Sequence, residues 1–271
     1  MSYVPLTPLD ILLAAALLIA NGAISWGFRL GLEKSIAIAA ARMVVQLALI
    51  GIVLKFIFAQ SSPAWTVAFA LVMVAAAGVE VVARQHRSLD GWRTMGLSTA
   101  TLLFIGTVVT VLGVGVIITP DPWYAPRYML PILGMVLGNT MTAVALVLDG
   151  LSEAANRERS AIEARLALGA PRFEALGGPL RSALRTGMMP MLNAMATTGL
   201  VALPGMMTGQ IIAGADPVGA AKYQMLIMFL IAGATALGSF LAALGGVVLL
   251  TDERHRLRLG QVSNAKENAR V

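Results

Sequence analysis

The chain has 271 residues, 58% of them hydrophobic and only 13% charged, with a mean hydropathy of +0.79. A water-soluble domain needs a polar shell that this composition cannot supply, so the length is better counted in membrane spans of about 20 residues each. The net charge of +6 is spread between apolar runs rather than gathered in one patch, which argues against nucleic acid and for orientation in a bilayer.

Seven apolar runs follow in chain order, at 9–28, 35–58, 65–83, 95–118, 128–148, 188–210 and 223–250. No lysine or arginine lies between Met1 and Asp10, so the first run is expected to be a retained helix rather than a cleaved signal peptide. In the sixth, Pro204 and Gly205 interrupt the apolar depth, and the continuous helix is expected to stop near Leu203. Lysine and arginine mark cytoplasmic loops. Sixteen of them fall in loops 29–34, 84–94 and 149–187 and in the tail, against Arg127 and Lys222 in the alternate loops. The expected fold is therefore all-α: a polytopic membrane protein of about seven transmembrane helices, amino terminus outside and carboxyl terminus in the cytoplasm. A re-entrant hairpin at Pro204 to Gln210 would put a basic tail outside, against the charge rule. Residues 1–259 form one permease domain on this reading, and the polar stretch 260–271 is expected to be disordered.

The longest cytoplasmic segment, 149–187, holds a helix-forming run from Ser160 to Leu168, ended by Gly169 and Pro171, then a second amphipathic stretch from Phe173 to Leu184. A short helix held between spans five and six is a natural docking element for a soluble partner. Within it, Glu163, Ala164 and Gly169 in EARLALGAPR are spaced like the E-A-A-x-x-x-G loop of ABC-transporter permeases. Arg165 stands at the third position, and the downstream leucine-proline of importers is absent.

The run VALPGMMTGQIIAGADPVGAAKYQ, Val201 to Gln224, resembles the signature of the iron-export ABC permease family, FetB-like proteins with plant relatives linked to aluminium tolerance. ARMVVQLALIG from Ala41 and LGNTMTAVAL from Leu137 are similar to that family's other recurrent stretches. The resemblance implies a homodimeric permease in the inner (plasma) membrane, exporting iron or a related metal. It also implies a separate ATPase subunit, docked on a coupling element that takes in Glu163, Ala164, Leu168 and Gly169. An importer permease fed by an extracytoplasmic binding protein, or export of a non-metal solute, is the alternative. The chain carries no G-x-x-x-x-G-K-[ST] phosphate loop, so no cofactor is expected on it, ATP acts through the partner, and the chain itself is no enzyme.

Polar residues inside the spans are the pathway candidates, because each ionised one costs about 2.5 to 3.5 kcal/mol on insertion scales. Arg42, about 10 Å into the second span at 1.5 Å per residue, is expected to pair with Glu80, with Gln46 one turn further on the same face. Reversing both charges should restore what reversing either one loses. Asn139 and Thr140 lie mid-span beside Gly134 and Gly138, whose spacing fits close helix approach. Pro204, Met206, Met207, Thr208 and Gln210 lie at the broken helix. Their methionines read first as packing, so leucine at both positions should leave transport intact. Asp10, Asp121 and Asp216 read as solvated outer charges, and His86 and His255 as surface residues. With no cysteine, thiolate metal sites are excluded, and no metal ligand set is evident.

Overall fold

The computed structural model describes residues 7–60, 62–85, 91–252 and 256–257, which form ten α-helices. Both histidines and the tail from 260 lie outside the described residues. Helix α1, Pro8–Gly27, starts from a capping box in which Thr7 and Asp10 bond reciprocally, so the exposed Asp10 serves the helix start. Helices α2, Glu33–Gln60, and α3, Pro63–Arg84, follow. Helix α4, Gly91–Thr110, continues as a π-helix over Val111–Ile118. Helix α5, Pro126–Arg157, leads into short α6, Arg159–Ala167, and α7, Arg172–Ala175; then come α8, Gly177–Thr197, α9, Gly205–Ile212, and α10, Pro217–Leu250. Asp216 caps α10 through the Gly219 N–H at 2.8 Å.

Six of these helices are long and apolar enough to cross a membrane: α1, α2, α3, α4 with its π extension, α5 and α10. The expected sixth span, 188–210, breaks earlier than its proline. Helix α8 ends at Thr197 rather than near Leu203, and the chain turns through Gly199, at φ +87°, before α9 starts behind Pro204. The cause is local: Val201 and Ala202 both bond back to the Thr197 carbonyl, and Pro204 disfavours helix in the residue before it. Helix α8 is also less apolar than the six, since it begins at Gly177 and carries Arg181 and Arg185.

Helices α5 and α10 run parallel through the centre. Ile132 and Val136 of α5 pack with Ile227 and Ile231 of α10. Further along both helices, Gly238 faces Thr140, and Gly246 faces Leu148 and Leu151. Helix α8 runs the other way along α5, with Ala183 beside Gly150 and Gly187 against Val147 and the Ala143 carbonyl. Two parallel neighbours joined in sequence need a return path, and α8, the turn and α9 supply it. At 32 residues, α5 is about 48 Å long, beyond a hydrocarbon core of about 30 Å, so its end projects. Together with α10 that end clamps α6 and α7 in one apolar cluster: Leu151 and Ala155 meet Ile162, Leu176, Val247 and Leu250. The predicted helix over Ser160–Leu168 thus appears as α6, displaced by a single residue at each end.

The α1–α2 hairpin stands apart from this core. None of the apolar window of α2 is buried, and α1 is almost as bare. Such surfaces suit lipid rather than water.

Candidate functional site

Three groups of residues carry chemistry. The first is an ion cluster between α2 and α3. Arg42 donates to Glu80 Oε2 at 2.9 Å, and Arg84 approaches the other carboxylate oxygen at 3.4 Å. Arg84 also donates to Thr142 Oγ1 of α5 at 3.1 Å. The Arg42–Glu80 pair expected from depth alone is present, but Arg84, read in the sequence as a loop residue, makes it a triad. Its position four residues after Glu80 on one helix was the available signal. Gln46 lies on the exposed face of α2 with Arg42. Replacing Glu80 with glutamine leaves two arginines unneutralised, at an upper cost of about 2.5 to 3.5 kcal/mol each where lipid surrounds them. Glu80→Gln should therefore lower the amount of folded protein in the membrane more than Arg42→Gln or Arg84→Gln, read by detergent-resistant yield. The double reversal Arg42→Glu with Glu80→Arg should rescue only partly, because Arg84 would then face a like charge.

Asn139 and Thr140 are separated by their own helix. Asn139 is exposed and donates to the Met135 carbonyl at 2.8 Å, whereas Thr140 is buried with its methyl against Gly238. The Gly134–Gly138 pair is not a close helix contact: Gly134 has only the tip of Met73 nearby, and Gly138 faces open space.

The second group is an open groove of about 310 Å³ beside the turn between α8 and α9, with Met195, Met225 and Phe229 exposed along it. Met195 lines it from the end of α8, Gly199 from the turn, Met207 from α9, and Gln224, Met225 and Met228 from α10. The α10 residues fall at i, i+1 and i+4 and so share one helix face. Of the sequence candidates, Met207 reaches this groove, while Met206 packs instead on the apolar core around Met191 and Ile227. Thr208 donates to the Pro204 carbonyl at 3.1 Å, closing the first turn of α9 behind Pro204. Gln210 is half-buried on the same short helix. Met195, Gln224, Met225 and Met228 were not singled out in the sequence, where their spacing reads equally well as packing.

The third group is the α6 surface. Ile162 is fully buried, and Arg165 ties the helix to the Ala175 carbonyl at 3.1 Å. Glu163 pairs with Arg159 at 2.8 Å, and Ala164 is exposed beside it. At the tip, Leu168 is 88% exposed. Gly169 follows at φ +92°, a left-handed turn that glycine adopts without strain.

A chain with six helices fit to span lipid and its polar groups set between them is a multi-pass membrane protein. It belongs to the uncharacterised protein family UPF0014, which matches residues 8–249. The rice (Oryza sativa subsp. japonica) UPF0014 membrane protein STAR2 is 37% identical over 221 residues, 81% of this chain and 75% of its own. The Arabidopsis thaliana protein ALUMINUM SENSITIVE 3 is 35% identical over 228 residues, 83% of this chain and 81% of its own. The Escherichia coli (strain K12) protein named Probable iron export permease protein FetB is 30% identical over 250 residues, 92% and 94% of the two chains. No solved structure matches the chain.

Proposed function

We propose that this chain is the transmembrane permease subunit of an ABC transporter, exporting iron or a related metal from the cytoplasm across the inner (plasma) membrane with energy from a separate ATPase. The observation that carries the reading is α6: a short helix locked onto the projecting ends of α5 and α10, with a bare leucine at its tip. An exposed apolar anchor on a rigid support is what a soluble partner's groove needs. Export and metal are taken from the name of the Escherichia coli relative. On this reading α8 and α9 complete a seventh, interrupted crossing. The amino terminus is then outside and α6 lies in the cytoplasm, among Arg157, Arg159, Arg165 and Arg172.

The reading also calls for a homodimer. Ser182, Thr186, Asn193 and Thr197 form an exposed polar row along α8. The Thr186 and Thr197 hydroxyls bond back to their own helix, but the Asn193 amide has no hydrogen-bond partner among the described residues. A polar row at membrane depth favours protein or a water-filled cavity over lipid, and a second copy meeting it across a two-fold axis supplies both. The chain has no cysteine, so Asn193→Cys can be oxidised alone. A disulfide-linked species of twice the monomer mass is expected; monomer only would count against this face. Co-purification of an ABC ATPase with the tagged, membrane-embedded chain tests the wider reading.

A further inference from the structure

Helix α10 ends at Leu250, yet the chain does not run straight on from it. Thr251 leaves the helix in an extended conformation, with its hydroxyl donating back to the Val247 carbonyl at 2.8 Å. By Arg256 the chain has reversed. The Asp252 N–H donates to the Arg256 carbonyl at 2.9 Å and the Arg256 N–H to Asp252 Oδ1 at 2.7 Å, while Thr251 and Leu257 stand opposite each other as an antiparallel bridge. Arg256 also donates from Nε to Asp252 Oδ2 at 2.9 Å, so both oxygens of a carboxylate that is only 9% exposed are engaged. Charge-assisted bonds of this kind are what a carboxylate needs to leave water.

What the turn delivers is Leu257. Its side chain packs on the cluster that holds α6, whose fully buried members include Ile162, Leu176, Val247 and Leu250 and whose rim includes Leu166 and Ala170. A helix of nine residues is too short to persist without tertiary support. Ile162 is the single buried residue of α6, so the position of that helix depends on what keeps water from beneath it. We propose that the chain end beyond α10 is a clasp that fixes the α6 docking helix to α10, with the Asp252–Arg256 pair closing it and Leu257 as its positioning residue. Helix α5 runs into α6 directly through Glu158, whereas α10 lies far along the chain and reaches the α6 cluster through Val247, Leu250 and Leu257. A shift of α10 along α5 is then passed to α6 and to the exposed Leu168 at its tip.

That α6 docks an ATPase rests on the permease reading; that the clasp holds α6 does not. The chain has no cysteine, so Ile162→Cys places one thiol under α6, and Ala234→Cys, fully buried in the middle of α10, is the control. The full chain in detergent micelles is labelled with a maleimide. Adding Leu257→Asp should speed labelling of the Ile162→Cys chain by about 10-fold, the factor that loss of one half-buried leucine gives to a local opening equilibrium. Labelling of the Ala234→Cys chain should not change. Asp252→Asn, which weakens the clasp but keeps Leu257, should have a smaller effect, and Leu257→Met, which keeps the apolar volume, almost none. Capture of an ABC ATPase should fall with Leu257→Asp although Leu168 is intact. Unchanged labelling with Leu257→Asp, or an equal rise in the Ala234→Cys chain, would overturn the clasp. Faster labelling with undiminished ATPase capture would overturn its role in docking. Absence of capture by the wild-type chain would be a failure of the permease reading alone, and the labelling would still decide the clasp.

Discussion

On the proposed function, replacing Leu168 with aspartate is expected to abolish capture of an ABC ATPase while leaving the chain itself folded. The side chain is 88% exposed and supports nothing inside the protein. Surface changes of this kind alter stability by no more than about 0.5 kcal/mol. Helix α6 itself is held by buried Ile162, by Leu166 against the same cluster and by the Arg165 bond to Ala175. A central apolar anchor in a partner's groove is worth about 2 kcal/mol or more, roughly 30-fold in affinity, and a charge adds a desolvation cost. Gly169→Val should act differently. It forces a β-branched residue to φ +92° and distorts the tip, so some loss of stability accompanies the loss of docking. Thermal unfolding and retained ATPase, measured on the same preparations, separate the two outcomes.

A second large effect is expected at Gly187. A side chain there would run into Val147 and reach within 3.0 Å of the Ala143 carbonyl. The valine could shift, but the α5 backbone cannot yield without losing its own hydrogen bonds. Overpacking of this kind costs about 1 to 3 kcal/mol. Gly187→Leu should sit at or above the top of that range, because α8 has few other anchors on its exposed side. Gly22→Leu in α1, where nothing lies within 4 Å, should be nearly silent in the same melting experiment. Equal destabilisation at the two positions would mean that α8 does not pack on α5 as described.

These glycines show where a single sequence stops being informative. The five leading spans and the last one are visible because lipid demands about 20 apolar residues in a row, a property of the chain itself. Helix α6 is visible for a similar reason, since Gly169 and Pro171 end it locally. Which glycine meets which helix depends on the parallel arrangement of α5 and α10, and the regular spacing at Gly134 and Gly138 points to the wrong pair. The sixth apolar run is misjudged at its end because three Thr197 carbonyl contacts, from Leu200, Val201 and Ala202, stop α8 before Pro204 can. Glu80 and Arg42 are legible from depth and charge, whereas Arg84 is hidden by its place at a helix end. The groove is the least legible feature. Its residues come from three helices, and methionine in so apolar a chain reads as packing until the space between the side chains is seen.

The most direct measurement of the account is metal flux in inside-out vesicles holding the permease with its co-purified ATPase. On the proposed function, metal uptake into the lumen should require ATP hydrolysis and be lost with Leu168→Asp. Metal crossing at the same rate without ATP, or undiminished with Leu168→Asp, would contradict it.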